Sequence, residues 1–466
     1  MSALRRGREL AALVDEFAPD GWRRDPAWWA LLGTAAMAEP WGRGATAYLA
    51  SDADPGTDTF MAAPTPLPRD AADWIAWAVA SAHAARAAVA HLDGTLPDQP
   101  LAVAIARAGG SAHTTPLAQP GRVGFAIGAR VWHGQLDDRG PAHDADLARA
   151  LARTLRGQPS RLTLDGPPPQ VVVALGDDAP SRIRHGHRRA WTAAGGPWLG
   201  VARMGPYTAV TTCHLVVDGW GHALLTQAIA AAVAPPGLRV DAADVALPPL
   251  AIVAGEPLEL CWGPAPAVGA VAGAYALGVV LHRRGDPRAR RSPPLQLPVA
   301  PGAADDPARF ARRVRPALLS VRFSDGRPEP LDAFAARARA AIAREAAGAG
   351  IATRLLAGLH GLPLPLAIKR RALAGGPSRL TAGPSEHLAG DACLSMLRLP
   401  DGPALIAASA PPPQIPRSRG AAVVTVVRAG ADAIATVATV GRCDAADLLR
   451  AWRREVEAVA APTARG

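Results

Sequence analysis

The segment Thr-Thr-Cys-His-Leu-Val-Val-Asp-Gly-Trp-Gly, residues 211 to 221, has the residue types and spacing to do chemistry. His214, Asp218 and Gly219 form an HxxxDG pattern at the end of a β-branched run, and a helical pattern through Leu224 and Leu225 follows at once. A histidine at a strand end is held by a rigid element and can reach a cleft beyond the sheet. Its ordinary pKa of ~6.5 suits proton abstraction near neutral pH. Asp218 falls in the turn, where a carboxylate can pair with an arginine or cap the next helix and so fix the loop that carries the imidazole. Gly219 permits a sharp strand-to-helix turn. Cys213 adjoins His214, but successive strand residues point to opposite faces, so Cys213 reads as a core residue and not as a partnered thiol. A metal held by His214 and Asp218 would need a third ligand. The nearest histidine, His222, lies on the helix, and no metal site is expected.

The elements that must position this motif are legible on both sides of it. Asp70 is placed to cap a helix through Trp74 and Trp77 that stops at Gly94, Asp144 one ending at Gly157, and Asp332 one ending near Gly348. Runs of β character lie at Gln170–Leu175, Pro197–Met204, Tyr207–Val217, Leu318–Phe323, Ala421–Arg428 and Ala433–Val440. The stretch Arg283–Pro307 reads as a connector, and Arg288–Arg291 as a solvated loop. An internal repeat is visible: Pro197–Ala234 slides by 224 positions onto Ala421 onward without a gap, giving strand, turn, strand and helix twice. It sets Ala438 opposite His214 and Arg442 opposite Asp218. The chain therefore divides into two like halves, 1–236 with the motif and 237–466 without the histidine.

Composition narrows the classes. Of 466 residues, 49% are hydrophobic and 19% charged, as in a globular protein with a large core. The net charge of +10 comes from a chain with 49 arginines, one lysine and no asparagine. That bias reflects a GC-rich coding sequence, and nucleic acid is not expected as a partner on charge alone. No glycine-rich phosphate loop is present, so nucleotide binding is unsupported. The four cysteines have neither CxxC pairs nor zinc spacing, which fits a reduced compartment. No signal peptide is apparent and cytoplasm is the expected location; the Ala/Gly-rich run Ala265–Leu281 reads as a buried helix or strand pair in preference to a membrane span.

HxxxDG at a strand end, in a chain of two like halves, resembles the chloramphenicol-acetyltransferase-like superfamily, which includes peptide-synthetase condensation domains, wax ester synthases and plant-type HxxxD acyltransferases. The resemblance implies an α+β fold of two halves, mixed sheets flanked by helices, forming a pseudo-dimer with a tunnel between them. It implies an acyltransferase or condensation enzyme that moves an acyl group from coenzyme A or a carrier-protein phosphopantetheine thioester to a hydroxyl or amine. His214 would be the general base, Asp218 and Gly219 would hold the loop, and Ser395 would donate to the oxyanion. The co-substrate would be an acyl-coenzyme A or a carrier-bound thioester, with no permanent cofactor; the partners would be a small-molecule acceptor and an acyl or peptidyl carrier protein. The chain departs from the pattern in places. Cys213 stands where many relatives have a second histidine, the Asp-Phe-Gly-Trp-Gly motif is absent, and no Ser-Asn pair can occur. His-Leu-Val-Val-Asp-Gly also resembles the motif of 2-oxo acid dehydrogenase E2 components, but more than 240 residues follow it here. The alternative to catalysis is a binding or scaffolding member of the same fold.

Overall fold

The computed structural model describes residues 2–18, 20–42, 58–66, 68–95, 121–127, 130–165, 171–175, 199–213, 219–233, 245–251, 257–299, 315–363, 392–399, 402, 405–409, 421–440 and 444–460. Two seven-stranded mixed sheets dominate it. The first takes β1 (Asp58–Pro64), β2 (Arg122–Ile127), β3 (Arg130–Gln135), β4 (Val171–Leu175), β5 (Leu199–Met204) and β6 (Tyr207–Cys213). The second takes β7 (Val245–Ala251), β8 (Pro257–Pro264), β9 (Leu295–Val299), β10 (Arg315–Leu319), β13 (Ala392–Leu399), β15 (Ala421–Ala429) and β16 (Asp432–Val440). A small hairpin, β11 (Phe323–Ser324) and β12 (Arg327–Pro328), stands apart, and β14 (Ile406–Ser409) joins the first sheet.

The strand orders, β14-β1-β6-β5-β4-β2-β3 and β7-β8-β16-β15-β13-β9-β10, are one order. Each neighbouring pair also has the same sense in both sheets: three antiparallel pairings, two parallel, then one antiparallel. The helices follow suit. α3 (Ala71–Thr95), α4 (Ala145–Leu155) and α5 (Gly219–Val233) follow β1, β3 and β6. α6 (Ala270–Arg284), α7 (Leu331–Ala346) with α8 (Ile351–Gly361), and α9 (Ala445–Ala460) follow β8, β10 and β16. The duplication thus extends over each half, well past the strand–strand–helix unit seen in the sequence. Its register is corrected by the hairpins. Both close on two residues with a glycine of positive φ first, Gly205 (54°) and Gly430 (57°), as a type II′ turn requires. Tyr207 then corresponds to Asp432, and His214 to Thr439, one residue beyond the Ala438 of the ungapped slide.

Amphipathic spacing explains the layers. α9 buries Leu448, Leu449, Trp452 and Val456 against the second sheet, and α4 buries Leu147, Ala150, Leu151 and Thr154 against the first. Ala265–Leu281 is not a span: α6 begins at Ala270 and packs Ala274, Leu277 and Val279 into the core, and no helix among the described residues is long and apolar enough to cross a membrane. Asp70 caps α3 as expected, its Oδ1 accepting from the backbone of Ala72 (2.8 Å) and Asp73 (2.9 Å). Asp144 precedes α4 but does not cap it. Its carboxylate is claimed by tertiary partners instead, accepting from the Asp137 backbone N–H at 3.0 Å and pairing with His83. Asp332 lies inside the first turn of α7, whose N-cap is Pro330. The connector Arg283–Pro307 contains β9, and Arg291 within the basic run is not free in solvent: it reaches the Asp15 carbonyl and Asp20.

The halves exchange chain. α1 (Ala3–Val14) and α2 (Pro26–Gly42) precede the first sheet, yet their core residues Leu10, Val14, Trp28 and Leu32 pack with Leu318 and Ile351 of the second half. A Cβ on Gly358 would meet the Ala35 Cα at 2.7 Å, so the two helices touch backbone to backbone. Beside that contact Arg354 forks onto the buried Glu39 (3.1 and 3.0 Å) and reaches Glu9 at 3.3 Å. A buried carboxylate stripped of its partner is costly. Arg354→Leu is expected to lower stability by about 3–5 kcal/mol. Arg354→Leu combined with Glu39→Leu should cost far less, and urea midpoints of the two variants read the difference.

Candidate active site between the two sheets

β6 ends at Cys213 and α5 begins at Gly219; residues 214–218, with His214 and Asp218, lie outside the described residues. The basic stretch Arg182–Arg189 lies outside them as well. The described residues show the frame that holds both ends of the motif. β6 sits between β1 and β5, with Asp58 opposite Cys213 and Thr212 opposite Leu199. A segment leaving a doubly paired strand starts from a rigid platform. At the other end of this hairpin the buried Arg203 donates to Thr65 Oγ1 and to the Gly205 carbonyl (3.0 Å), which ties β1 to the turn. Along β6 the side chains alternate. Tyr207 and Ala209 cluster with Trp262, Ile406 and Ile434 toward the second sheet, whereas Val210 packs beneath α3 and α5.

The first turn of α5 meets the second sheet. A Cβ on Gly219 would lie 3.8 Å from the Leu397 side chain, and Trp220 Nε1 donates to the Arg398 carbonyl at 3.3 Å. Trp220 and Ala223 share an apolar cluster with Leu397, Leu399 and Val427. Ser395 precedes Leu397 by two residues on β13, so it occupies the same face, roughly 6.6 Å along the strand. It is partly exposed, and its hydroxyl has no hydrogen-bond partner among the described residues. The register extends this position into a polar rung: Ser395 pairs with Thr425, Thr425 with Thr436, and Thr436 with Trp262. Trp262 stands edge-on to Tyr207, ring centroids 5.8 Å apart, so the rung faces the first sheet. The Ala407 N–H of β14 donates to Thr436 Oγ1 at 3.3 Å across the same gap.

The described structure therefore brings Gly219 and the Ser395 strand to one inter-sheet face. Sequence reading missed Thr425, the one polar residue in the run Ala421–Val427; a lone hydroxyl in a β-branched strand was the available signal. Burial pushes the thiol of Cys393, two residues before Ser395, up to about 12, which favours the protonated thiol near neutral pH. Among the described residues no group of three or more His, Cys, Asp or Glu could hold a metal ion.

His222 is wholly buried in α5, and its Nε2–H donates to the Val210 carbonyl at 2.8 Å, tying the helix back to β6. Burial pushes its pKa down to about 4, so the ring is neutral in the fold. The unfolded imidazole takes a proton first, near pH 6.5. Stability is then lost as pH falls from there toward 4, by about 3 kcal/mol in all. His222→Gln, which keeps a donor without a titrating ring, should flatten that loss. Urea midpoints measured from pH 7 to 4 check it; an unchanged slope would assign the acid sensitivity elsewhere.

No protein-family model and no curated protein matches the chain. Among solved structures it is similar to the starter condensation domain of the rhizomide synthetase RzmA, at 12% identity over 88% of this chain and 92% of that one, with a TM-score of 0.37. It is also similar to the first condensation domain of the CDA synthetase, at 14% identity over 96% and 97%, with a TM-score of 0.41. A variant of the RzmA domain in complex with C8-CoA matches at 13% identity over 88% and 91%, TM-score 0.40. In architecture this chain is a two-half α+β protein with two mixed sheets of one topology.

Proposed function

We propose that this protein is an acyltransferase of the condensation type, drawing its acyl group from a thioester of coenzyme A or of a carrier-bound pantetheine. The observation that carries the reading is the HxxxDG motif between a central strand and a helix whose first turn abuts the Ser395-bearing strand of the other half. His214 takes the proton of an acceptor hydroxyl or amine as that atom attacks the thioester carbonyl. The new C–O or C–N bond forms, and the carbonyl electron pair moves onto oxygen. The tetrahedral anion collapses, the C–S bond breaks, and the thiolate leaves with the proton from the imidazolium. A positioned base of this kind contributes ~10²–10⁴ in rate.

Asp218 and Gly219 hold the loop in this reading, and Ser395 donates to the oxyanion with Thr425 as its neighbour. Donor strength is set by geometry fixed before the reaction, which suits a hydroxyl on a central strand. The acceptor is a small molecule, and the donor is free or carried by a protein.

Thiol release from acyl-coenzyme A donors of short to long chain, and from an acylated carrier, tests the reading. His214→Ala should abolish release while leaving the fold intact, and wild-type turnover in that variant would sink the mechanism. Ser395→Ala should lower kcat by roughly 10²–10³ with little change in KM. An equal fall in Thr425→Val with Ser395→Ala silent would move the donor one strand over.

A further inference from the structure

We propose that the outer face of the α1–α2 hairpin docks on an anionic lipid surface. Every exposed residue of α2 from Trp29 to Trp41 is apolar: Trp29, Ala30, Gly33, Met37, Pro40 and Trp41. They form one stripe about 18 Å long. Trp29, Met37 and Trp41 are 44%, 56% and 77% exposed, and Leu4 on α1 is 68% exposed. The stripe cannot turn inward, because the opposite face is already spent on Trp28, Leu32 and Ala35 in the core and on Glu39 under Arg354. A helix apolar on all sides belongs in a core or in lipid, and α2 has a core on one side only.

Charge decides what covers the other side. α1 runs antiparallel to α2, with Arg6 Nε donating to the Ala36 carbonyl at 2.6 Å, so Leu4, Arg5 and Arg8 stand beside the Met37–Trp41 end. Arg23 and Arg24 are exposed near the Trp29 end. The acidic residues of the hairpin are already engaged: Glu9 with Arg354 and Arg5, Glu39 with Arg354, Asp15 with Arg23, Glu16 with Arg337, Asp20 with Arg291, and Asp25 with the Ala27 backbone N–H, while Arg8 and Arg24 have no ion pair among the described residues. What faces outward is an apolar stripe with a basic rim, and it bears tryptophans at both ends, where indoles favour the headgroup region. A second copy would set the same basic rim against itself, which disfavours a symmetric dimer on this face.

Flotation of the full chain with vesicles tests this, using phosphatidylcholine alone and phosphatidylcholine with phosphatidylglycerol. Capture should require the anionic lipid and should be released by high salt, which screens the basic rim. Met37→Ser with Trp41→Ser should lose capture. Arg5→Gln with Arg8→Gln should weaken it by roughly tenfold. All four positions are exposed, and circular dichroism verifies that the fold is kept. Absence of capture on either vesicle, equal capture on both, or capture insensitive to salt overturns the proposal. So does a wild-type dimer in light scattering that the Met37→Ser, Trp41→Ser variant dissolves, since that assigns the face to a second copy.

Discussion

Four residues, Ile406–Ser409, leave the second half of the chain and hydrogen-bond to the edge of the first sheet, Ile406 opposite Ala62 and Ser409 opposite Thr59. The geometry between the sheets depends on this strand. Ile406 meets Trp262 on one face while Leu405 and Ala407 meet Met61 and Val427 on the other, so β14 is buried between the halves. Each ladder bond contributes about 1 kcal/mol net. The larger effect is geometric: an in-register strand fixes the second sheet against the first to within a residue, because a slip of one would reverse every side chain. The reciprocal exchange comes from the N-terminus, where α1 and α2 close over β10 and α8. Two chain crossings make the halves one unit.

Buried polar groups mark the joints of this assembly. Arg354 with Glu39, Arg203 with Thr65 and Thr208, and His222 with the Val210 carbonyl each lie where two elements must meet in one register. A polar group taken out of water without its partner costs far more than the pair contributes. These contacts therefore penalise misassembly more than they reward assembly. The apolar clusters on each helix-covered sheet face supply the bulk of the stability.

Duplication gave two sheets one topology, and their sequences then diverged. The position that His214 holds in the first half is Thr439 in the second, and the second half offers a rung of hydroxyls on its inner face. In the proposed reaction one half supplies the titratable group and the other the donors. A pseudo-twofold arrangement suits this division, since it turns the inner face of each sheet toward the other.

The sequence by itself determined the strand–turn–strand–helix units, the placement of HxxxDG after a β-branched run, and the helix cap at Asp70, because alternation, turn glycines and side-chain capping act within a few residues. It also carried enough of the repeat to show two halves, though not its register, since the hairpin offset is defined by backbone pairing and not by residue likeness. Only the tertiary structure decided that Asp144 serves His83 and not its helix, that β9 lies inside an apparent connector, and that residues 3–42 cap the far half. It alone set Ser395 on the face beside Gly219, with Thr425 next to it. Those facts depend on which distant segment a group meets, and nothing in local spacing encodes that. The candidate site shared by two sheets depends on β14 joining them.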